Sequence, residues 1–335
     1  MRPKWLLTMP SGRLMIEESI SGLSLENIDS ILVIALKHHL DSHISSKQIS
    51  DLLSQQTSKP VEVLALTEKT SSQAHTVAFA LKKCFVSDEP FFVKDVDNFF
   101  ALTPAPEDSI AYIDLNNVAT IHAKSKSYIA FDALKNIYQI IEKNVISSFF
   151  CCGGYSFASS DVFLSSWASL EDVDGEVYIS HVIYDLIHKN HNFLAREAEQ
   201  YIDWGTLLEY NRFKDLTVTI FADFDGVLVK NSSKFASTPW AYEPITSNLI
   251  SLKKILLRSP CSQLIITTSR PHSQINAILG FLSEYGLRPV RIIADLPHSK
   301  RILINDFSPT NHYPSALSIS LPRDSSSLEC YLDSF

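Results

Sequence analysis

No apolar run in this chain approaches the roughly 20 residues that a membrane-spanning helix needs. The start, MRPKWLLTMPSGRLMIEE, has no apolar stretch of signal-peptide length closed by a cleavage site. Both absences lead to the expectation of a cytoplasmic protein without a membrane partner. Basic blocks are missing too. Lys and Arg number 29 against 37 Asp and Glu, a net charge of −8, so no nucleic-acid partner is expected. Cysteine is sparse: Cys84, Cys151, Cys152, Cys261 and Cys330 form neither a CxxC pair nor a disulfide framework. Adjacent Cys151 and Cys152 read as small packing residues on alternate sides of a strand rather than as a redox pair. His181, His188 and His191 fit neither HExxH nor a helical metal pair with a third ligand, so surface or helix-end histidines are expected there, not a zinc site. Internal repeats and low-complexity tracts are absent as well.

What is present is enough apolar material for two cores. Aliphatic and aromatic residues make up 45% of a chain of 335 residues, longer than one average domain. Strand-like runs at 31–36, 61–66, 90–96 and 109–115 alternate with helix-like segments. In 71–84, Ala74, Val77, Ala78, Leu81 and Cys84 recur at intervals of three and four, which predicts a helix with Thr70 or Ser71 as N-cap. A second α/β series begins near 214, with strands over 216–225, 261–270, 290–295 and 300–307 and helices over 245–259 and 273–286. The boundary is placed in the polar stretch 211–215, giving domains 1–213 and 214–335.

Three strands of the second series end in chemically useful residues: FADFD at Asp223, LIITTSR at Thr268 and RILIND at Asp306. In a parallel sheet, ligands gather at such carboxyl ends. FADFDGVLV, TTSR and LIND resemble the first, second and fourth motifs of the haloacid dehalogenase superfamily, in the expected order. That resemblance implies a phosphatase in which Asp223 is the nucleophile and Asp225 the acid/base. It also implies magnesium held by Asp223, the carbonyl of Asp225, and Asp306, a phosphoryl contact from Thr268, and a charge-balancing Lys300 with Arg270 in reserve. Between Asp223 and Thr268 there is room for one helix and its connections, which leaves none for a large cap. The site is therefore expected to be open, or roofed by the other domain or by another subunit in a homo-oligomer.

Motifs also run through the first two thirds. RPKWLLTMPSGRLMIEESI, TSSQAHTV (70–77), VKDVDNFF (93–100), IEKNVISSFFCCGGYSF (141–157) and YIDWGTLLEY (201–210) resemble, in order, segments of sugar-1-phosphate nucleotidyltransferases. The resemblance implies a mixed-sheet domain of GT-A type preceding the parallel-sheet domain, so that both halves are Rossmann-like three-layer α/β/α folds. It places magnesium on Asp97, or alternatively Asp95, together with Asp203. Lys4 and Lys143 would then meet phosphate, Glu142 the sugar and Gln73 the base. The family's glycine-rich phosphate loop precedes the PK segment and has no counterpart in this sequence.

The combined expectation is a magnesium-dependent phosphatase joined to a nucleotidyltransferase-like domain. Its substrate would be a phosphorylated sugar or polyol of surface-polysaccharide synthesis, with a nucleoside triphosphate as second substrate if both halves turn over. The alternatives are a phosphatase whose first domain only binds or caps, and a non-catalytic binding or assembly protein.

Overall fold

A computed structural model describes residues 2–118, 123–171, 173, 175–306 and 316–332. The chain divides into two compact units, Met1–Tyr210 and Asn211–Phe335. In chain order the first runs α1 (Met15–Ile20), β1 (Ile31–Leu36), α2 (Lys37–Ser42), α3 (Ser46–Thr57), β2 (Val61–Leu66), α4 (Gln73–Cys84), β3 (Phe91–Lys94), β4 (Asn98–Ala101) and β5 (Ser109–Asp114). It continues through β6 (Ser127–Phe131), β7 (Asn136–Glu142), β8 (Phe149–Phe157), α5 (Ser160–Leu170), α6 (Ile179–His188), β9 (Phe193–Glu197) and β10 (Glu199–Asp203). Helix α7 (Leu207–Leu216) carries the chain into the second unit, with β11 (Thr219–Asp223), α8 (Thr246–Leu256), β12 (Gln263–Thr267), α9 (Ile275–Glu284), β13 (Arg291–Ile293) and α10 (Leu328–Leu332). The polar stretch 211–215 thus lies inside a helix.

Six strands of the first unit form a mixed sheet in the order β3-β8-β5-β9-β7-β6. Only β5 and β9 run parallel within it. Beside this sheet, β1 pairs with β2 in parallel and β4 with β10 antiparallel. Period-two alternation divides the side chains between two cores. Ile110 and Tyr112 of β5, with Cys151, Tyr155 and Phe157 of β8, pack with Ala74, Val77, Ala78 and Leu81 of α4 and with Phe163 and Trp167 of α5. Ala111 and Ile113, with Phe150 and Cys152, turn the other way and pack with Phe100 of β4. Cys151 and Cys152 therefore fill opposite faces as buried free thiols. Burial pushes the Cys152 thiol up to about 12 and Cys151 well above its ordinary value, so neither is a ready nucleophile.

Helix α4 follows the predicted spacing, but its cap is Ser72, which accepts from the His75 N–H at 3.1 Å. The Thr70 hydroxyl is instead paired with that of Thr76 at 2.5 Å, one turn into the helix.

In the second unit β11, β12 and β13 form a parallel sheet whose register sets Asp223 beside Thr267. Ala222, Leu264 and Ile266 pack with Leu249 and Leu252 of α8 and with Ile278 and Leu282 of α9. The strand expected over 300–307 does not form in its described part: residues 300–306 are irregular. Ile302, Leu303 and Ile304 are 78%, 57% and 90% exposed. An apolar run becomes a strand only where a neighbouring edge takes its hydrogen-bond ladder, and among the described residues no strand pairs with this segment. Residue 307 lies outside the described residues.

Candidate functional site

The turn between β3 and β4 builds one wall of a cavity in the first unit. Lys94 is tucked beneath it, its ammonium donating to the carbonyls of Asp95 (2.6 Å) and Asn98 (2.9 Å) and to Asn98 Oδ1 (2.5 Å). The ammonium also lies 4.5 Å from the centre of the Phe100 ring. These contacts fix the turn, so the carboxylates of Asp95 and Asp97 are delivered from a rigid support. Gly153 of β8 crosses underneath with φ +86°, and a Cβ there would lie 2.6 Å from Asp95 Oδ2. Only a residue without a side chain leaves that carboxyl its place.

The cavity encloses about 310 Å³. Six residues singled out from sequence line it, Gln73, Asp95, Asp97, Glu142, Lys143 and Asp203, while Lys4 is not among the lining residues. Gln73, the first residue of α4, donates through Nε2 to Asp95 Oδ1. Glu142 ends β7 opposite Ser127 of β6, and its Oε2 accepts from the hydroxyls of Ser127 and, at 2.6 Å, of Ser180 at the start of α6. Lys143 donates to the Tyr178 hydroxyl, which donates in turn to Glu176 at 2.5 Å. Lys4 reaches Asp97 at 2.7 Å and also bonds the Gly205 carbonyl. Asp203, the last residue of β10, is ion-paired with Lys126.

Two lysines at this site escape a sequence reading. Lys94 stands among acids and would pass as a solvated charge, while Lys126 has no local motif around it. Burial acts on both members of the Lys94–Asp95 neighbourhood. It pushes the Asp95 carboxyl up to about 7, with Asp97 adding repulsion and Lys94 opposing, and it pulls the Lys94 amine down to about 8.

Magnesium, implied by resemblance, can be tested against these residues. Asp97 and Asp203 each hold a lysine of the chain itself, and Asp95 holds the Gln73 amide. Among the described residues no three His, Cys, Asp or Glu side chains are grouped so as to hold a metal ion. The donor set of the first unit does not fit the cation.

This arrangement of strands has known counterparts. It is similar to a nucleoside-diphosphate-sugar pyrophosphorylase from Vibrio cholerae, with 20% identity, a TM-score of 0.53, and coverage of 62% of this chain and 90% of that one. The amino-terminal unit has a nucleotidyltransferase-type fold. A glucose-1-phosphate thymidylyltransferase from Bacillus anthracis, described as putative, matches at 21% identity and a TM-score of 0.48, over 62% of this chain and 84% of its own. The likeness to the Vibrio structure is what carries the assignment, and it concerns the fold alone. No protein-family model matches the chain, and no curated protein sequence is similar to it. Within the nucleotidyltransferase-type unit, the cavity lies where the ends of β7 and β10 meet the β3–β4 turn.

In the second unit Asp223 ends β11 and is exposed. Its carboxyl is nonetheless pushed above the usual carboxylate range, first by partial loss of solvent and then by the negative charge of Asp225, with Arg301 and His298 opposing. Exposed Asp223 offers an oxygen ligand for a hard cation, while Asp225 is already paired with Arg270. Arg301, rather than the neighbouring Lys300, is the cation whose charge bears on Asp223. Lys300 and Asp306 are exposed in the irregular segment that replaces the expected strand.

Asp225 has company that the sequence reading did not assign. Arg270, fully buried, donates Nε to Oδ1 and Oδ2 (3.1 and 3.0 Å) and Nη2 to Oδ1 (2.8 Å). Thr268, also fully buried, donates its hydroxyl to Oδ2 at 3.2 Å. These four contacts use the roughly four acceptor positions of a carboxylate. A proton donor is favoured by apolar surroundings; a guanidinium fork is found instead. Thr268, expected on phosphate, faces Asp225. Arg270 further donates to the Trp240 and Ala241 carbonyls and lies over the rings of Phe224, Trp240 and Tyr242. The guanidinium thus ties the 240–242 segment to the end of β11.

Proposed function

We propose that the first unit binds a phosphorylated sugar or polyol and that the second removes a phosphate from such a compound. The observation that carries the reading is convergence. Gln73, Asp97, Glu142, Lys143 and Asp203 come from four separate stretches, were singled out for the parts of one nucleotidyltransferase-type site, and line one cavity. The nucleotidyltransferase-type fold supports it, because that architecture positions a polar cavity at strand ends.

In the second unit Asp223 would attack the phosphorus of a phosphomonoester while the ester P–O bond breaks. Asp225, protonated from solvent once the fork to Arg270 opens, gives that proton to the leaving oxygen. Water, giving its proton back to Asp225, then hydrolyses the aspartyl-phosphate to release inorganic phosphate and free Asp223. Asp223, the Asp225 carbonyl and Asp306 would hold magnesium, which when bound supplies positive charge against the incoming phosphate. The precursor of a surface polysaccharide is the setting that matches this pair of activities.

A screen of phosphate release across sugar, polyol and aryl phosphates tests the reading. Release by the wild type and its loss in Asp223→Asn, with an unchanged circular dichroism spectrum, is the expected result. Near wild-type release by that variant would remove Asp223 from the nucleophile's role. Pyrophosphate release from nucleoside triphosphates and sugar phosphates decides whether the first unit also transfers a nucleotidyl group. The lysines paired with Asp97 and Asp203 favour a second reading, in which that unit binds without transferring.

A further inference from the structure

The carboxylates expected to hold a divalent cation in the first unit are already neutralised from within. The outer pair, Lys4 and Asp97, is 2.7 Å apart with both side chains 37% exposed. The inner pair is nearly dry: Lys126 and Asp203 side chains are 16% and 8% exposed. Lys126 is also held by its surroundings. Its ammonium donates to the Tyr201 hydroxyl at 2.9 Å and lies 5.5 Å from the centre of that ring. Its carbonyl accepts from the Lys143 N–H at 3.0 Å.

A cation coordinated by Asp203 would sit within a few ångströms of that ammonium. Repulsion between them is poorly screened where little water enters, and expelling Lys126 would bury an ammonium without its partner. An ammonium already does at Asp203 what a divalent ion would do.

We propose that Lys126 stands in for the divalent cation at Asp203, and that the cavity binds its phosphorylated ligand without magnesium. This rests on the reading of the cavity as a sugar- or polyol-phosphate site. Lys143 supplies charge for the phosphate, and Gln73, Ser127, Tyr178 and Ser180, which also line the cavity, supply donors and acceptors for ligand hydroxyls.

Manganese serves as the metal probe. Bound Mn²⁺ is counted by electron paramagnetic resonance on the full chain, in an Asp223→Asn background that removes the second unit's nucleophilic ligand. Adding Asp203→Asn is expected to leave the count unchanged, and adding Lys126→Met is expected to raise it by one. Loss of one ion in Asp203→Asn overturns the proposal, as does an unchanged count in a folded Lys126→Met protein. Calorimetric titration with glucose 1-phosphate and with inorganic phosphate supplies the second arm. Affinities within about twofold in EDTA and in Mg²⁺ are expected, and a tenfold or greater loss in EDTA overturns the proposal. Absence of binding in both buffers counts against the reading of the cavity itself, and the manganese count then decides the role of Lys126.

Discussion

Burial moves Asp95 and Lys94 toward their uncharged forms from opposite directions. The Asp95 carboxyl rises from 3.8 to about 7. Between those values the folded chain keeps a proton that the unfolded chain has lost. Its contribution to stability is complete below about pH 4 and disappears as pH climbs through 7. Asp95→Asn retains an acceptor for Gln73 and removes the ionisation. The variant is therefore expected to show a shallower fall in urea midpoint between pH 4.5 and 7.5 than the wild type. Parallel curves would mean that Asp95 is not the group responsible. Lys94 acts in the other sense: its amine is lowered from 10.5 to about 8, so its contribution grows as pH rises through that interval. Sequence marked Asp95 only as an alternative to Asp97, and nothing local distinguished the buried acid from the half-exposed one.

At the scale of elements, β8 is the strand on which the first unit's site depends. It pairs with both β3 and β5, and it passes Gly153 under the turn that carries Asp95 and Asp97. Gly153→Ala would put a methyl 2.6 Å from Asp95 Oδ2 and 2.7 Å from Asn98 Nδ2 in a left-handed backbone conformation. The backbone alone costs about 1–2 kcal/mol. Denaturant unfolding is expected to show at least that loss, accompanied by weaker ligand binding in the cavity; full stability would mean the turn can move aside. Helix α4 was legible because its apolar spacing is local and periodic. The segment 300–306 was misread because a strand needs a partner edge as well as apolar residues, and pairing is not written into the run itself.

At the scale of the molecule, the two units have separate cores. Ala222, Leu264, Ile266 and their neighbours form a cluster distinct from those of the first unit. Chains of this kind do not unfold as one two-state body. Calorimetry is expected to resolve two transitions, and Ile266→Ala, at a position with no exposure, should lower only one of them. The cavity left behind costs about 2–5 kcal/mol in that unit. A single transition that shifts as a whole would show the units to be energetically inseparable.

Sequence by itself determined the alternation of strands and helices, the acids at strand ends and several of the residues that line the first unit's cavity, Gln73, Asp97, Glu142, Lys143 and Asp203 among them. Each of these depends on local pattern or on a short motif. Tertiary structure decided who neutralises the acids. Lys4 meets Asp97 across 93 positions, and Arg270 meets Asp225 across 45. Lys126, with no motif around it, meets Asp203. A charge carries no periodic signal of its partner, because ion pairs form wherever the fold brings opposite charges together out of water.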